Sequence, residues 1–311
     1  MNIVFMGTPD FAVPPLQMLI DEGHEISLVV TQPDRPKGRG KKDNMSAVKE
    51  LALKYDLPVN QPERVKNDEE FYKHIKALNP DLIIVVAFGQ ILPESILEIP
   101  RLGCINIHGS LLPKYRGAGP IQWSVINQEE VSGVTIMYMD KGMDTGDMLY
   151  KKEIALAPKE TSETLYDKMR IIGADALKEA MPLIISGGVG REKQDDTKAT
   201  YAPPISKSLG EVDFSKSAKE IDALIRGLNP WPVAYTYYDN QCMKVWDVDV
   251  IAENSTYASG TIVKVAKEGL YVQTGEGQLC ISEIQVPNKK RMAVSEYIKG
   301  HTILEGQILG R

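Results

Sequence analysis

The chain has 311 residues and a formal net charge of −6 at pH 7, with 43% hydrophobic and 25% charged residues. This composition is typical of a soluble globular protein, and the length predicts about two domains. The acidic balance excludes a global electrostatic attraction to nucleic acid, so any contact with RNA would need a local basic segment.

The cysteines and histidines show no disulfide or metal-binding pattern. Cys104, Cys242 and Cys280 are far apart in the sequence and form no CxxC pair, so we expect small buried apolar residues or reduced thiols, and no metal. The N-terminal sequence MNIVFMGTPDF has no basic leader or cleavage site and is predicted to be a first strand. No apolar run is long enough to span a bilayer, so we expect a cytoplasmic protein.

The first half of the chain alternates short apolar strands with helical stretches. Strands are predicted over 2–7, 25–31, 81–89 and 103–109. Between the first two, apolar residues recur at helical spacing from Val13 to Ile20. This alternation predicts an α/β fold, with a Rossmann-like, mostly parallel open sheet that has helices on both faces.

The middle of the chain predicts a two-stranded ribbon followed by a helix. The ribbon covers about 131–157 and turns around KGMDTG at 141–146. The helix starts near Thr161, a plausible cap, and its apolar face is formed by Leu165, Met169, Ile172 and Ala176.

The last third of the chain predicts a second domain of a different class. Residues 189–207 are polar and rich in glycine and proline, as is typical of a linker between an N-terminal domain (1–188) and a C-terminal domain (208–311). After a short amphipathic helix at 218–226, short strands alternate with turn residues at close intervals. This pattern favours an all-β fold, for which a small barrel is the expected closed form.

Two polar side chains leave the fourth strand at its end, in the segment INIHGSLLPKYRGAGP. Asn106 and His108 are two residues apart, so on a strand they project from the same side of the sheet. An amide can donate to a developing oxyanion, and an imidazole exchanges protons near neutral pH. The pair suits attack on a carbonyl, although a polar strand end that is hydrogen-bonded to the next loop would look the same.

The turn MDKGMDTGD at 139–147 contains carboxylates beside two glycines. It lacks the longer alternation of oxygens and the final Glu of a calcium loop. Asp144 could orient an imidazole or accept a proton, as carboxylate partners of catalytic histidines do. The alternative is an ordinary solvated turn.

The segment RPKGRGKK concentrates positive charge within an acidic chain. Its five cations are Arg35, Lys37, Arg39, Lys41 and Lys42. Such a cluster predicts a phosphate-binding anchor whose affinity falls as salt rises, and its alternative is a solvated charge run.

The chain resembles the methionyl-tRNA formyltransferases over essentially its whole length. The resemblance is carried by GTPDFAVPPL (7–16), TQPDRPKGRGKK (31–42), AFGQILP (87–93), NIHGSLLPKYRGAGPIQW (106–123) and MDTGD (143–147). The motif that includes HGSLLP is typical of enzymes that take a formyl group from 10-formyltetrahydrofolate. The basic segment and the C-terminal β domain match the branch that modifies tRNA.

The resemblance implies roles for particular residues. Asn106, His108 and Asp144 match the catalytic trio of the family, and a barrel of the OB type that contacts tRNA is implied for the C-terminal domain. Folate contacts are implied for Phe88, Gly89, Gln90, Ile91, Leu92, Ser110, Leu111, Leu112 and Pro113. The basic segment, with Arg39 at its centre, is expected to reach the acceptor end of initiator methionyl-tRNA, and we expect a monomer.

Other functions remain as alternatives. A formyltransferase for a nucleotide-linked amino sugar would use the same folate site and trio, but a small substrate needs no five-cation segment. A folate hydrolase would replace the attacking amine with water. The intact trio disfavours a pure RNA-binding module, and FMGTPDF lacks the glycine fingerprint of a dehydrogenase.

Overall fold

A computed structural model of the chain describes residues 1–37, 42–186 and 190–310. In it, the apolar segments of the first half are strands of one sheet. The strands up to residue 202 are β1 (Asn2–Gly7), β2 (Glu25–Val30), β3 (Arg35–Lys37), β4 (Lys42–Asn44), β5 (Val59–Asn60), β6 (Leu82–Val86), β7 (Cys104–His108), β8 (Arg116–Gly117), β9 (Val131–Tyr138), β10 (Met148–Ala155) and β11 (Tyr201–Ala202).

Within the described residues, seven of these strands pair in the order β10-β9-β7-β6-β1-β2-β5. The strands from β7 to β5 in this order are parallel, and β9 and β10 extend the β7 edge with antiparallel pairing. Every residue of β6 is buried, as expected for a parallel strand that is covered on both faces. The predicted fold class and the predicted ribbon are confirmed.

Six α-helices lie among the described residues of this part of the chain, and the first and the last of them follow the predicted apolar periodicity. The six are α1 (Val13–Asp21), α2 (Ala47–Lys54), α3 (Glu69–Leu78), α4 (Glu94–Leu97), α5 (Pro120–Ile126) and α6 (Ser162–Ser186). The Thr161 hydroxyl accepts a hydrogen bond from the Thr164 N–H at 3.2 Å, so Thr161 caps α6. Leu165 and Met169 on the predicted apolar face are fully buried. No helix in the described ranges is long and apolar enough to cross a membrane.

The described chain forms two units whose limits differ from a simple division at the predicted linker. The first unit contains Met1–Pro120, Val131–Ala155 and Tyr166–Ala202. The second contains Ile121–Glu130, Leu156–Leu165 and the described residues from Pro203 onward. Part of the 189–207 segment therefore belongs to the first unit, where β11 pairs in parallel with β8.

The second unit is built on an antiparallel sheet. Its elements are α7 (Ala218–Gly227), β12 (Ala234–Tyr238), β13 (Gln241–Ile251), β14 (Ile262–Ala266), β15 (Gly269–Gln273), β16 (Gln278–Gln285), β17 (Met292–Ala293) and α8 (Val294–Tyr297). The strand order is β12-β13-β16-β15-β14, with β17 beside β16. A capping box between Ser217 and Glu220 starts α7. The predicted all-β class is confirmed.

The C-terminal segment contacts both outer strands of this sheet. The N–H of Gly306 donates to the carbonyl of Ile262 at the start of β14. The N–H of Gly310 donates to the carbonyl of Tyr237 in β12. Contact with both edges is what closing the sheet into the predicted barrel requires, because closure removes unpaired strand edges.

Candidate active site

A cavity of about 400 Å³ lies in the first unit, where β6, β7 and β9 reach the loops around them. The carboxyl ends of parallel strands are the usual ligand-binding edge of an open α/β sheet. The lining residues are Val85, Ala87, Phe88, Gly89, Gln90, Ile91, Leu92, Asn106, Gly117, Ala118, Met137, Met139, Asp140, Lys141, Gly142, Met143 and Asp144.

Asn106 and His108 occupy the last part of β7, as the sequence predicts. Asn106 is half-buried and lines the cavity. His108 is the last residue of the strand and is 5% exposed. Their side chains lie on the same face of the sheet because the strand repeats every two residues. Met137, which is paired with Asn106 across β7 and β9, also lines the cavity.

Asp144 approaches His108 from the loop between β9 and β10. Its Oδ2 lies 3.7 Å from His108 Nδ1, a separation that suits an ion pair with a protonated ring and exceeds a direct hydrogen bond. The same oxygen accepts a hydrogen bond from the Gly117 N–H at 2.8 Å. The φ of Asp144 is +55°, a left-handed conformation that aspartate tolerates better than most residues. The structure therefore brings the three predicted catalytic residues together.

The backbone at Gly117 admits no larger residue without a shift. Its φ is +110°, and a Cβ there would lie 2.8 Å from the carbonyl oxygen of Ala202. Glycine is the residue that accepts both the positive φ and the close approach. The N–H that holds the Asp144 carboxylate therefore depends on this glycine.

The His108 ring has a defined hydrogen-bonding orientation. Nε2 lies 2.9 Å from the carbonyl oxygen of Tyr115, which can only accept, so Nε2 carries a proton and donates. Nδ1 is then the ring atom that can gain and release a proton, and it faces Asp144. This arrangement can hold a proton beside the cavity and return it.

All five predicted folate contacts in the segment after β6, from Phe88 to Leu92, line the cavity. Phe88 is buried, and its carbonyl accepts hydrogen bonds from Thr8 Oγ1 and Gln32 Nε2, both at 3.1 Å. Gln90 is fixed from the other side, because its Oε1 accepts from the Val65 N–H at 2.9 Å. Ile91 is 77% exposed and supplies apolar surface at the cavity.

The other predicted folate segment, Ser110 to Pro113, is not among the residues that line this cavity. Ser110 is fully buried and donates to the Lys114 carbonyl at 2.6 Å. Leu112 is buried beside Met137 and Met148, and the Leu112–Pro113 peptide bond is cis. These contacts fix the loop that follows His108, and direct folate contact by this segment stays a prediction.

The basic segment is described only in part. Arg39 and Lys41 lie outside the described residues, whereas the backbones of Lys37 and Lys42 pair across the β3–β4 ribbon. Arg35 is exposed and lines a second cavity of about 860 Å³, together with Thr8, Asp10, Gln32 and Ser46. Gly89 lines both cavities, so the two adjoin.

Sequence reasoning did not identify two residues that support the site. Gln194 lies in the predicted linker but is 5% exposed, and it donates to the carbonyls of Asp144 and Gly146, both at 2.8 Å. Thr135 of β9 is fully buried and donates to the Ser110 carbonyl at 2.7 Å. Neither lies in a recognisable motif, because each acts through a contact with a distant part of the chain.

Cysteines and metal-ligating side chains are the remaining candidates for chemistry among the described residues. Burial raises the pKa of the Cys104 thiol to about 12, which makes the thiolate form rare at neutral pH. Among the described residues, no group of three or more His, Cys, Asp or Glu side chains is arranged to hold a metal ion.

Comparison with known proteins identifies the family. Residues 1–181 match the formyl transferase family model, and residues 204–302 match that of the formyl transferase C-terminal domain. The methionyl-tRNA formyltransferase of Clostridioides difficile is 60% identical over 310 residues, and that of Acetivibrio thermocellus is 51% identical over 312 residues. Each comparison covers 100% of both chains.

Among solved structures, an N-formyltransferase from Helicobacter canadensis, in complex with folinic acid and dTDP-3-aminofucose, has a TM-score of 0.67. It is 19% identical, and the match covers 93% of this chain and 99% of the other. At that identity the likeness supports the fold, whereas the full-length relatives specify the branch. The chain belongs to the methionyl-tRNA formyltransferase family.

Proposed function

We propose that this protein transfers the formyl group of 10-formyltetrahydrofolate to the α-amino group of methionyl-initiator tRNA, in the cytoplasm where translation starts. The observation that carries the proposal is that Asn106 and Asp144 line one cavity while His108 Nδ1 lies 3.7 Å from the Asp144 carboxylate, in a chain of this family. We further propose that the enzyme acts as a monomer.

The proposed reaction forms one C–N bond and breaks another. The neutral α-amine attacks the formyl carbon on N10, and the carbonyl electron pair moves to its oxygen to give a tetrahedral intermediate. The Asn106 amide is the proposed donor to that oxygen, a kind of stabilisation whose loss commonly costs about a hundredfold or more in rate.

Proton transfer completes the proposed reaction. The attacking nitrogen loses a proton, and N10 gains one as its bond to the formyl carbon breaks. His108 Nδ1 is the proposed carrier of that proton, and Asp144 stabilises the ring while it is charged.

The position of the two cavities supports a route for the tRNA end. The pterin is proposed to lie in the 400 Å³ cavity, against the segment from Phe88 to Leu92. The aminoacyl end is proposed to enter through the adjoining 860 Å³ cavity, which is lined by Arg35 at the start of the basic segment. The cations that follow Arg35 would then contact the phosphates of the acceptor stem.

An assay with one formyl donor and several acceptors tests the proposal. The acceptors are methionyl-initiator tRNA, methionyl-elongator tRNA and an aminated nucleotide sugar, each offered with 10-formyltetrahydrofolate. We expect efficient formylation of the first alone. Formylation of the sugar with no reaction of the initiator tRNA would instead favour the sugar-modifying function, and release of formate without any acceptor would favour a hydrolase.

A further inference from the structure

Gln194 is a buried side chain that uses its full hydrogen-bonding capacity at the catalytic loop. Its Nε2 donates to the carbonyl oxygens of Asp144 and Gly146 at 2.8 Å each. Its Oε1 accepts from Arg116 Nε at 3.0 Å and from Arg116 Nη2 at 2.8 Å. A carboxamide offers two N–H donors and an oxygen with two lone pairs, so all four positions are occupied.

These contacts hold the turn that presents Asp144. Gln194 joins two carbonyls of that turn, on either side of Thr145. The turn is tight, since a Cβ on Gly146 would lie 1.9 Å from the Tyr138 carbonyl oxygen. Asp144 itself has a positive φ, a conformation that persists when surrounding contacts impose it.

Arg116, the partner of Gln194, is also adjacent in the chain to the residue that binds the Asp144 carboxylate. Arg116 directly precedes Gly117, whose N–H donates to the Asp144 carboxylate. Arg116 Nη2 also donates to Asp196 Oδ1 at 2.7 Å. The main chain and the side chain of Asp144 are therefore held by adjacent parts of one hydrogen-bonded network.

The backbone that carries Gln194 is fixed on both sides. Before it, Glu192 exchanges backbone hydrogen bonds with Met148 at 2.8 and 3.0 Å. After it, β11 pairs with β8, and the Tyr115 N–H donates to Thr200 Oγ1 at 2.8 Å. Gln194 is thus a rigid support, as a precisely placed catalytic group requires.

We propose that Gln194 is a positioning residue for formyl transfer, which sets the distance between the Asp144 carboxylate and His108. This inference rests on the proposed function, in which Asp144 stabilises the charged His108 ring. A displacement of about 1 Å at a catalytic group can cost about a hundredfold in rate. Gln194 would thereby affect the reaction without touching either substrate.

The test is Gln194→Glu, which keeps the size and the oxygen that accepts from Arg116 but removes both N–H donors. We expect kcat to fall about 10- to 100-fold, with little change in KM for the folate.

Gln273→Glu is the matched control. Gln273 is 4% exposed in the second unit, and its Nε2 donates to the carbonyls of Thr274 at 2.8 Å and Gly277 at 3.1 Å. The same substitution there should lower the melting temperature by a similar amount, yet leave kcat and the KM for the folate of the folded enzyme unchanged.

A second variant covers the case in which Gln194→Glu does not fold. Arg116→Lys keeps the charge but removes the paired donors to Gln194. We expect the same fall in kcat, smaller in size, again with little change in KM for the folate. Wild-type kcat in the folded variants would overturn the inference. Full activity of Asp144→Asn would instead overturn the proposed roles of the trio, so the two failures are distinguishable.

Discussion

The two nitrogens of the His108 ring have different partners, and this difference decides how a proton can move. Nε2 donates a hydrogen bond to the Tyr115 carbonyl at 2.9 Å, while Asp144 Oδ2 lies 3.7 Å from Nδ1. A carbonyl that only accepts fixes the tautomer, in the way that orienting groups fix catalytic imidazoles elsewhere. Proton exchange is therefore confined to the side of the ring that faces Asp144.

Asp144→Asn tests this assignment at the scale of one residue. The amide can still accept from the Gly117 N–H but has no charge to stabilise an imidazolium. We expect kcat to fall by about a hundredfold or more, with KM for 10-formyltetrahydrofolate nearly unchanged. Single-turnover formylation of charged tRNA measures the chemical step.

The control for that prediction is Asp147→Asn, which removes a carboxylate from the same loop at a position that does not line the cavity. It should retain kcat. If Asp144→Asn also turned over at the wild-type rate, the carboxylate would have no part in proton transfer.

At the scale of secondary-structure elements, Asp81 links the amino ends of two central strands. It precedes β6 and accepts from the backbone N–H of Asn2 in β1 at 2.8 Å. It also accepts from Arg101 Nε at 2.7 Å. These two donors, the Asn2 N–H before Arg101, hold the pKa of Asp81 below its ordinary value of 3.8.

The lowered pKa predicts a pH-dependent loss of stability in Asp81→Asn. Because the pKa of Asp81 is lower in the folded chain than in the unfolded chain, its carboxylate stabilises the fold above about pH 4. This stabilisation is lost as the pH falls through the pKa of the folded chain. At pH 7 we expect a decrease in unfolding free energy of about 1 kcal/mol, since Asp81 is partly exposed.

Urea denaturation of Asp81→Asn and wild type at several pH values measures that difference. It should shrink toward zero as the pH falls below 3.8 and through the lower folded pKa. Asp56→Asn is the control, because Asp56 is exposed with a φ of +51° that asparagine also accepts. If the difference in unfolding free energy for Asp81→Asn stayed constant down to pH 2, the Asp81 carboxylate would have no stabilising role.

Local sequence patterns predicted the central strands of the sheet, the ribbon beside it, the first and last helices of the first unit and one strand of the site. The apolar run of β6 predicts a buried strand, and the two-residue spacing of Asn106 and His108 predicts a shared face. The support by Gln194 was not predictable, since it acts across 50 residues to Asp144 and 78 to Arg116. A polar, glycine-rich composition describes local chain preference and cannot reveal such long-range hydrogen bonds.

At the scale of the whole molecule, the net charge opposes binding of the proposed polyanionic substrate, whereas one segment favours it. The chain carries −6 overall, yet five cations stand within residues 35–42. A polyanion such as tRNA is repelled by the net charge and attracted by this segment. The salt dependence of its affinity should therefore come from a small number of contacts between phosphates and the cations of the segment. The position of one cation then matters more than the total charge.

Arg39→Ala compared with Arg64→Ala separates these two effects. Each removes one positive charge, which changes the net charge from −6 to −7, and Arg64 is exposed outside the basic segment. For Arg39→Ala we expect a higher KM for tRNA, and a slope of log(kcat/KM) against log salt that is shallower by about 1. Arg64→Ala should keep the wild-type slope, and neither variant should change KM for the folate. Equal changes in both variants would mean that net charge, and not the segment at 35–42, governs tRNA capture, because a global repulsion cannot distinguish where a single charge is removed.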